Sequence, residues 1–185
     1  RDGAEVLPSE YVRDDPADVR EALRAALDRA DVVLVSGGTS VGPEDHVPAA
    51  VAGLGELAVH GVALKPGGPT GVGFVGGKPV FLLPGNPTAC LCAYDLFAGR
   101  VVRKLGGRAW ELPYRWEPLV LAERVSSVAG RTDYVRVTRV GNTAIPVSGG
   151  AASFCGTVTA DGFFLVGPET EERAAGYAVG VWLYE

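Results

Sequence analysis

With 185 residues, the chain has length for one large or two small domains. Its composition, 47% hydrophobic and 21% charged with a net charge of -5, is that of a globular protein with no general pull toward nucleic acid or an acidic membrane face. No apolar run approaches the roughly 18 residues of a membrane span, and Arg1-Asp2-Gly3-Ala4-Glu5 lacks the apolar core of a signal peptide, so no membrane partner and a cytoplasmic location are expected.

Taken in chain order, the first half alternates strand and helix signals. Ala4 to Val12 reads as a strand interrupted by Pro8. Asp15-Pro16 is an N-cap followed by proline at the first helical position, and Val19, Leu23, Ala26, Leu27 and Ala30 recur at helical spacing. Val32-Val33-Leu34-Val35 reads as a strand buried on both faces. A polar loop, Ser36 to Gly42, then leads to a helix expected from Pro43 or Glu44. Leu57 to Leu64 is strand-like, Pro66 to Gly73 a proline- and glycine-rich loop, and Val80 to Leu83 another strand. Asn86-Pro87 repeats the cap-and-proline signal and opens a helix reaching Leu105. This order predicts an α/β domain over residues 1–112, a mostly parallel sheet with helices on both faces.

After Gly106-Gly107 the texture changes. Leu119 to Val125, Tyr134 to Val140, Ala144 to Val147, Gly162 to Val166 and Val179 to Leu183 are short β-rich runs between turn residues. They predict a small all-β domain over residues 113–185. The chain has no Met, even at position 1, and opens inside what reads as running sequence, so a portion of a longer protein is expected.

Three loops could carry chemistry. Ser36-Gly37-Gly38-Thr39-Ser40-Val41-Gly42-Pro43-Glu44-Asp45 leaves the C-terminal end of a strand, where open α/β sheets bind ligands. Paired glycines let backbone N–H groups approach a phosphate, Thr39 and Ser40 add hydroxyls, and Asp45 offers a carboxylate for Mg²⁺. An ordinary strand-to-helix turn is the alternative reading. Leu82-Leu83-Pro84-Gly85-Asn86-Pro87 brings a second helix N-terminus to the same sheet edge, as an anion site or as a well-capped helix. Lys65-Pro66-Gly67-Gly68-Pro69-Thr70 could aim one cation at an oxyanion or be a surface turn. His46 and His60 stand alone and read as structural. Cys90 and Cys92 lie about 200° apart on a helix, cannot converge on a metal, and read with Cys155 as reduced thiols.

The three loops in this order, SGGTSVGPED, KPGGPTG and LLPGNPTA followed by a β domain, resemble the MoeA-type molybdopterin molybdenumtransferases, which include the E domain of gephyrin. The segment Arg13-Asp14-Asp15-Pro16, the run from Gly130 to Arg136 and the run from Ser148 to Ser153 support the likeness. The resemblance implies a MogA-like three-layer α/β domain followed by a barrel-like C-terminal β domain. It also implies insertion of molybdate into adenylylated molybdopterin with release of AMP, Mg²⁺ being required, by a homodimer.

Transferred by motif, Gly37, Gly38, Thr39, Ser40 and Gly42 would line molybdopterin and nucleotide phosphate, and Asp45 would be the catalytic, Mg²⁺-linked carboxylate. Pro84, Gly85, Asn86 and Pro87 would form the opposite wall. Lys65 would supply charge for molybdate, and Thr88 would be the nearest hydroxyl, because Ala89 stands where many members carry serine. Gly68 replaces a second basic residue. The family's first α/β strand is expected to be missing, leaving the site incomplete. Two rival readings are a MogA-type adenylyltransferase, otherwise an expected partner, and a gephyrin-like scaffold gripping a peptide near Phe154, Phe163 and Phe164.

Overall fold

The computed structural model describes residues 1–40, 42, 44–147 and 158–184. The chain divides into two units, Arg1–Val62 with Gly67–Glu111, and Ala63–Pro66 with Leu112–Glu185. The division follows the change from helix-spaced to strand-spaced apolar residues, except that four residues of the first half belong to the second unit.

In the first unit, α1 (Pro16–Arg29) starts where the Asp15 carboxylate accepts the N–H groups of Ala17 at 2.9 Å and Asp18 at 3.2 Å. Its Val19, Leu23 and Leu27 are buried, as their spacing requires. There follow β1 (Val33–Ser36), α2 (Val47–Leu54) and β2 (Glu56–His60). Next, β3 (Leu64–Lys65) is given to the second unit, and β4 (Gly71–Val75) and β5 (Lys78–Leu83) return to the first. The helix α3 (Pro87–Ala93) runs through a π-helical turn at Tyr94–Ala98 into α4 (Gly99–Leu105).

The first sheet has the order β1-β5-β4-β2. Alternation along β5 sends its side chains to two cores. Val80 and Leu82 pack with Val19, Leu23, Val47 and Val51 of α1 and α2, while Phe81 and Leu83 pack with Ala93 and Ala98 on the other face. Helices therefore cover both faces, as the apolar run Val80 to Leu83 implies. No helix among the described residues is long and apolar enough to cross a membrane.

Several expectations change in three dimensions. Ala4 to Val12 forms no strand; no strand among the described residues pairs with it, and Val6 and Tyr11 are 89% and 92% exposed. The run beginning at Val32 is an edge strand with Leu34 44% exposed, because β1 closes one side of the sheet. The second helix begins at Val47, with Pro48 in its first turn, because Asp45 is engaged in the preceding loop. Leu57 to Leu64 is two strands in two sheets, and the loop assigned to Pro66–Gly73 already contains the start of β4. The sheet is not mostly parallel. Within this sheet only β1 and β5 pair in parallel among the described strands, since Gly76 and Gly77, at φ 56° and 79°, close a two-residue hairpin between β4 and β5.

The second unit comprises β6 (Arg115–Leu121), β7 (Val125–Ser126), β8 (Thr132–Val140), β9 (Thr143–Pro146), β10 (Gly162–Val166), β11 (Glu172–Arg173) and β12 (Ala178–Leu183). Strand pairing runs β10-β12-β6-β9-β8 and returns from β8 to β10, so the sheet closes into a five-stranded barrel that β3 joins through β8. Closure satisfies edges that an open sheet would expose. Leu119, Leu121, Val137, Phe164, Val166, Val179, Val181 and Leu183 fill one core. Phe163 points the other way and stacks on Tyr134 at 3.9 Å and Trp182 at 5.4 Å between ring centroids. Both Phe163 and Phe164 are therefore buried packing residues. Phe154, Cys155 and the run from Ser148 to Ser153 lie outside the described residues.

Gly73 marks where α2 presses on the sheet. A Cβ there would lie 2.4 Å from Val51 Cγ1 and 2.7 Å from the Glu56 carbonyl oxygen. Gly73→Ala is expected to destabilise the chain by roughly 1–3 kcal/mol in chemical denaturation; unchanged stability would contradict this packing. A second expectation concerns pH. Backbone donation from Asp18, then from Ala17, holds the Asp15 carboxyl below its ordinary value of 3.8. A depressed carboxylate stabilises the fold above its unfolded value and loses that support as pH falls through the folded one. Acidification below pH 3.8 should therefore weaken α1, and Asp15→Asn should flatten this part of the stability–pH curve.

Candidate functional site

The parallel pairing of β1 and β5 sets Ser36 opposite Leu83, so both strands end at one edge of the sheet and release their loops side by side. The loops are bonded to each other. Gly37 N–H donates to the Leu83 carbonyl at 3.2 Å, the Thr39 hydroxyl donates to the same oxygen at 3.0 Å, and Ser36 Oγ donates to the Pro84 carbonyl at 3.4 Å. Their backbones come so close that a Cβ on Gly85 would lie 3.3 Å from Gly37 Cα. Gly37 and Gly38 adopt φ of 86° and 61°, a left-handed pair that glycine takes without a Cβ penalty. The Gly38 carbonyl accepts the Val47 N–H at 3.2 Å, which ties the loop to α2.

Asp45 folds the far end of this loop. Its Oδ2 accepts the Gly42 N–H at 2.8 Å, while its own N–H donates to the Gly42 carbonyl at 3.1 Å. One carboxylate oxygen is thus held by the backbone, and the side chain is only half-buried. Among the described residues no group of three or more His, Cys, Asp or Glu side chains could hold a metal. A single carboxylate suits Mg²⁺ whose remaining ligands are phosphate oxygens and water, not an all-protein cage.

The second loop is committed to its own helix. Asn86 Oδ1 accepts the N–H groups of Thr88 at 3.1 Å and Ala89 at 3.3 Å, and the Asn86 carbonyl accepts that of Cys90 at 2.8 Å. The N–H groups expected to face an anion here are satisfied internally, because the cap that starts α3 consumes them. Pro84, Gly85, Asn86 and Pro87 form a stiff wall beside the glycine loop. Thr88 is 1% exposed, and Thr39, 2% exposed, directs its hydroxyl inward to Leu83. Gly37, Gly38, Ser40, Gly42 and Asp45 remain as the outward-facing candidates of the first loop.

Lys65 lies in the second unit. On β3 it is in parallel register with Asp133 of β8, whose carboxylate is bonded by Arg131 Nε at 2.7 Å and Nη2 at 3.4 Å. His60, read from sequence only as an isolated structural residue, proves to touch this loop. His60, at the end of β2, contacts the Thr39 carbonyl through Nε2 at 2.9 Å. No local signal announces it, since its partner lies 21 positions away in sequence.

Two family profiles match this arrangement. One described as "Probable molybdopterin binding domain" covers residues 1–104, and one described as "MoeA C-terminal region (domain IV)" covers residues 118–184. The chain belongs to the MoeA family. A Methanocaldococcus jannaschii protein named for molybdopterin biosynthesis is 33% identical over 175 residues, covering 94% of this chain and 42% of that protein. A molybdopterin molybdenumtransferase of Nostoc is 38% identical over 128 residues, 67% of this chain and 28% of the relative. The crystal structure of a MoeA protein from Pyrococcus horikoshii superposes with a TM-score of 0.80 at 33% identity, covering 94% of this chain and 42% of the other. The chain thus spans less than half the length of these relatives.

The cap at Asn86 yields a direct check. Asn86→Ala is expected to cost about 1 kcal/mol of stability, whereas Asn86→Asp, which keeps the acceptor oxygen, should retain most of it. Equal loss in both variants, read by thermal or denaturant unfolding, would assign Asn86 something other than the cap.

Proposed function

We propose that the protein to which this chain belongs inserts molybdate into adenylylated molybdopterin with release of AMP, and that this chain supplies the nucleotide- and metal-binding side of the site. The observation that carries the reading is the pair of loops bonded together at the shared C-terminal edge of β1 and β5, within a chain matched over residues 1–104 by a molybdopterin-binding-domain profile and over residues 118–184 by a MoeA C-terminal profile. The closed β barrel after the α/β unit favours this enzyme over a MogA-type adenylyltransferase, whose product is the substrate proposed here.

Gly37, Gly38, Ser40 and Gly42 offer a glycine-rich backbone that a phosphate can approach closely. Asp45 would hold Mg²⁺ with the carboxylate oxygen not already bonded to Gly42 N–H. Bound there, the ion would supply charge neutralisation for the phosphate. The Pro84–Pro87 wall limits movement of the bound nucleotide, so this part of the protein works by positioning. Lys65, on the second unit, is the candidate cation for drawing in molybdate. A homodimer acting in the cytoplasm completes the reading.

Calorimetric titration of this chain with Mg-ADP and Mg-AMP, repeated on Asp45→Asn, tests the site. An Asn side-chain oxygen can still accept the Gly42 N–H, so the variant removes charge while keeping the loop closed. Magnesium-dependent binding that disappears in Asp45→Asn is expected; equal binding by the variant would remove Asp45 from the metal. In the complete enzyme the same substitution should abolish magnesium-dependent AMP release.

A further inference from the structure

We propose that His60 is a positioning residue that sets the phosphate-facing conformation of the glycine loop; the inference rests on the nucleotide reading above. The loop leaves β1 at one edge of the sheet, and His60 sits on β2 at the opposite edge. Between them the loop crosses the end of β5, where Thr39 is anchored through its hydroxyl to Leu83 at 3.0 Å. Thr39 is therefore held from two strands at once, by its side chain on β5 and by its carbonyl on β2.

The geometry assigns the proton. A carbonyl oxygen only accepts, so at 2.9 Å His60 Nε2 must be the donor. The Thr39–Ser40 peptide is trans, Lys65-Pro66 being the cis bond among the described residues. In a planar trans peptide the C=O and the following N–H point in opposite directions. With the Thr39 carbonyl turned to His60, the Ser40 N–H is turned away from it. His60 thus aims a backbone donor that it does not touch.

His60 is itself fixed. Its strand pairs with β4 in register His60↔Gly71, and the next N–H, of Gly61, donates to the Thr70 carbonyl at 2.9 Å. His60 is exposed, and its ring reaches the loop from a hydrogen-bonded strand end.

Two variants separate aiming from bulk stability. His60→Ala removes the donor, and His60→Gln restores an N–H donor on a flexible side chain. In the ligand-free chain, amide exchange over residues 36–46 should quicken in His60→Ala and return toward wild type in His60→Gln, with the exchange of α1 and the barrel strands unchanged. Mg-ADP affinity measured by calorimetry should fall about tenfold in His60→Ala, the scale of one hydrogen bond, and recover in His60→Gln. Unaltered loop exchange in His60→Ala, or a Gln variant as impaired as Ala, overturns the proposal. Quickened exchange in His60→Ala, together with a folded complete enzyme that binds no Mg-ADP, overturns the nucleotide reading and leaves His60 as the latch of the loop.

Discussion

The parallel pairing of β1 with β5 is the constraint on which the first unit depends. It places Ser36 beside Leu83, and the Leu83 carbonyl then receives both the Gly37 N–H and the Thr39 hydroxyl. A carbonyl has two lone pairs, and here both are used to hold one loop against the end of one strand. The same register turns Val80 and Leu82 to α1 and α2, and Phe81 and Leu83 to the helices of the other face. Core packing and loop placement are thus consequences of a single strand alignment. A one-residue slip would exchange the two faces and move the loops off their anchor.

The second unit is organised by closure. β8 is long enough, at nine residues, to pair with β10, with β9 and, at its start, with β3. Closing the barrel buries the alternating apolar residues of β6, β10 and β12 in one core, and an aromatic group around Phe163 covers part of the outer face. Ala63–Pro66 belongs here because Leu64 and Lys65 extend the β8 side of the sheet. The chain re-enters the first unit at Gly67, where Val62 N–H donates to the Gly68 carbonyl and pins the two ends of the excursion together.

Local chemistry made α1, α3 and most barrel strands legible. Asp15-Pro16 and Asn86-Pro87 carry their capping interaction within three residues, so the signal and the contact are the same stretch of chain. The hairpin at Gly76-Gly77 was equally local and could have been read from the two glycines between β4 and β5. Leu57 to Leu64 was not divisible by pattern, because both halves are apolar and only their partners differ. Ala4 to Val12 carries strand-forming residues, yet a strand exists only where a neighbour takes its hydrogen bonds.

Sequence alone determined the family, the starts of α1 and α3 and the glycine-rich loop, since each is written in spacing or in contiguous motifs. Tertiary structure alone decided which of those loop groups face outward. Thr39 reads as a phosphate donor until its hydroxyl is found buried against Leu83, and His60 reads as structural with no partner named until its ring is found on the Thr39 carbonyl. The physical reason is that a hydrogen bond is specified by the positions of two groups. When those groups are 44 or 21 residues apart, only the folded sheet brings them together.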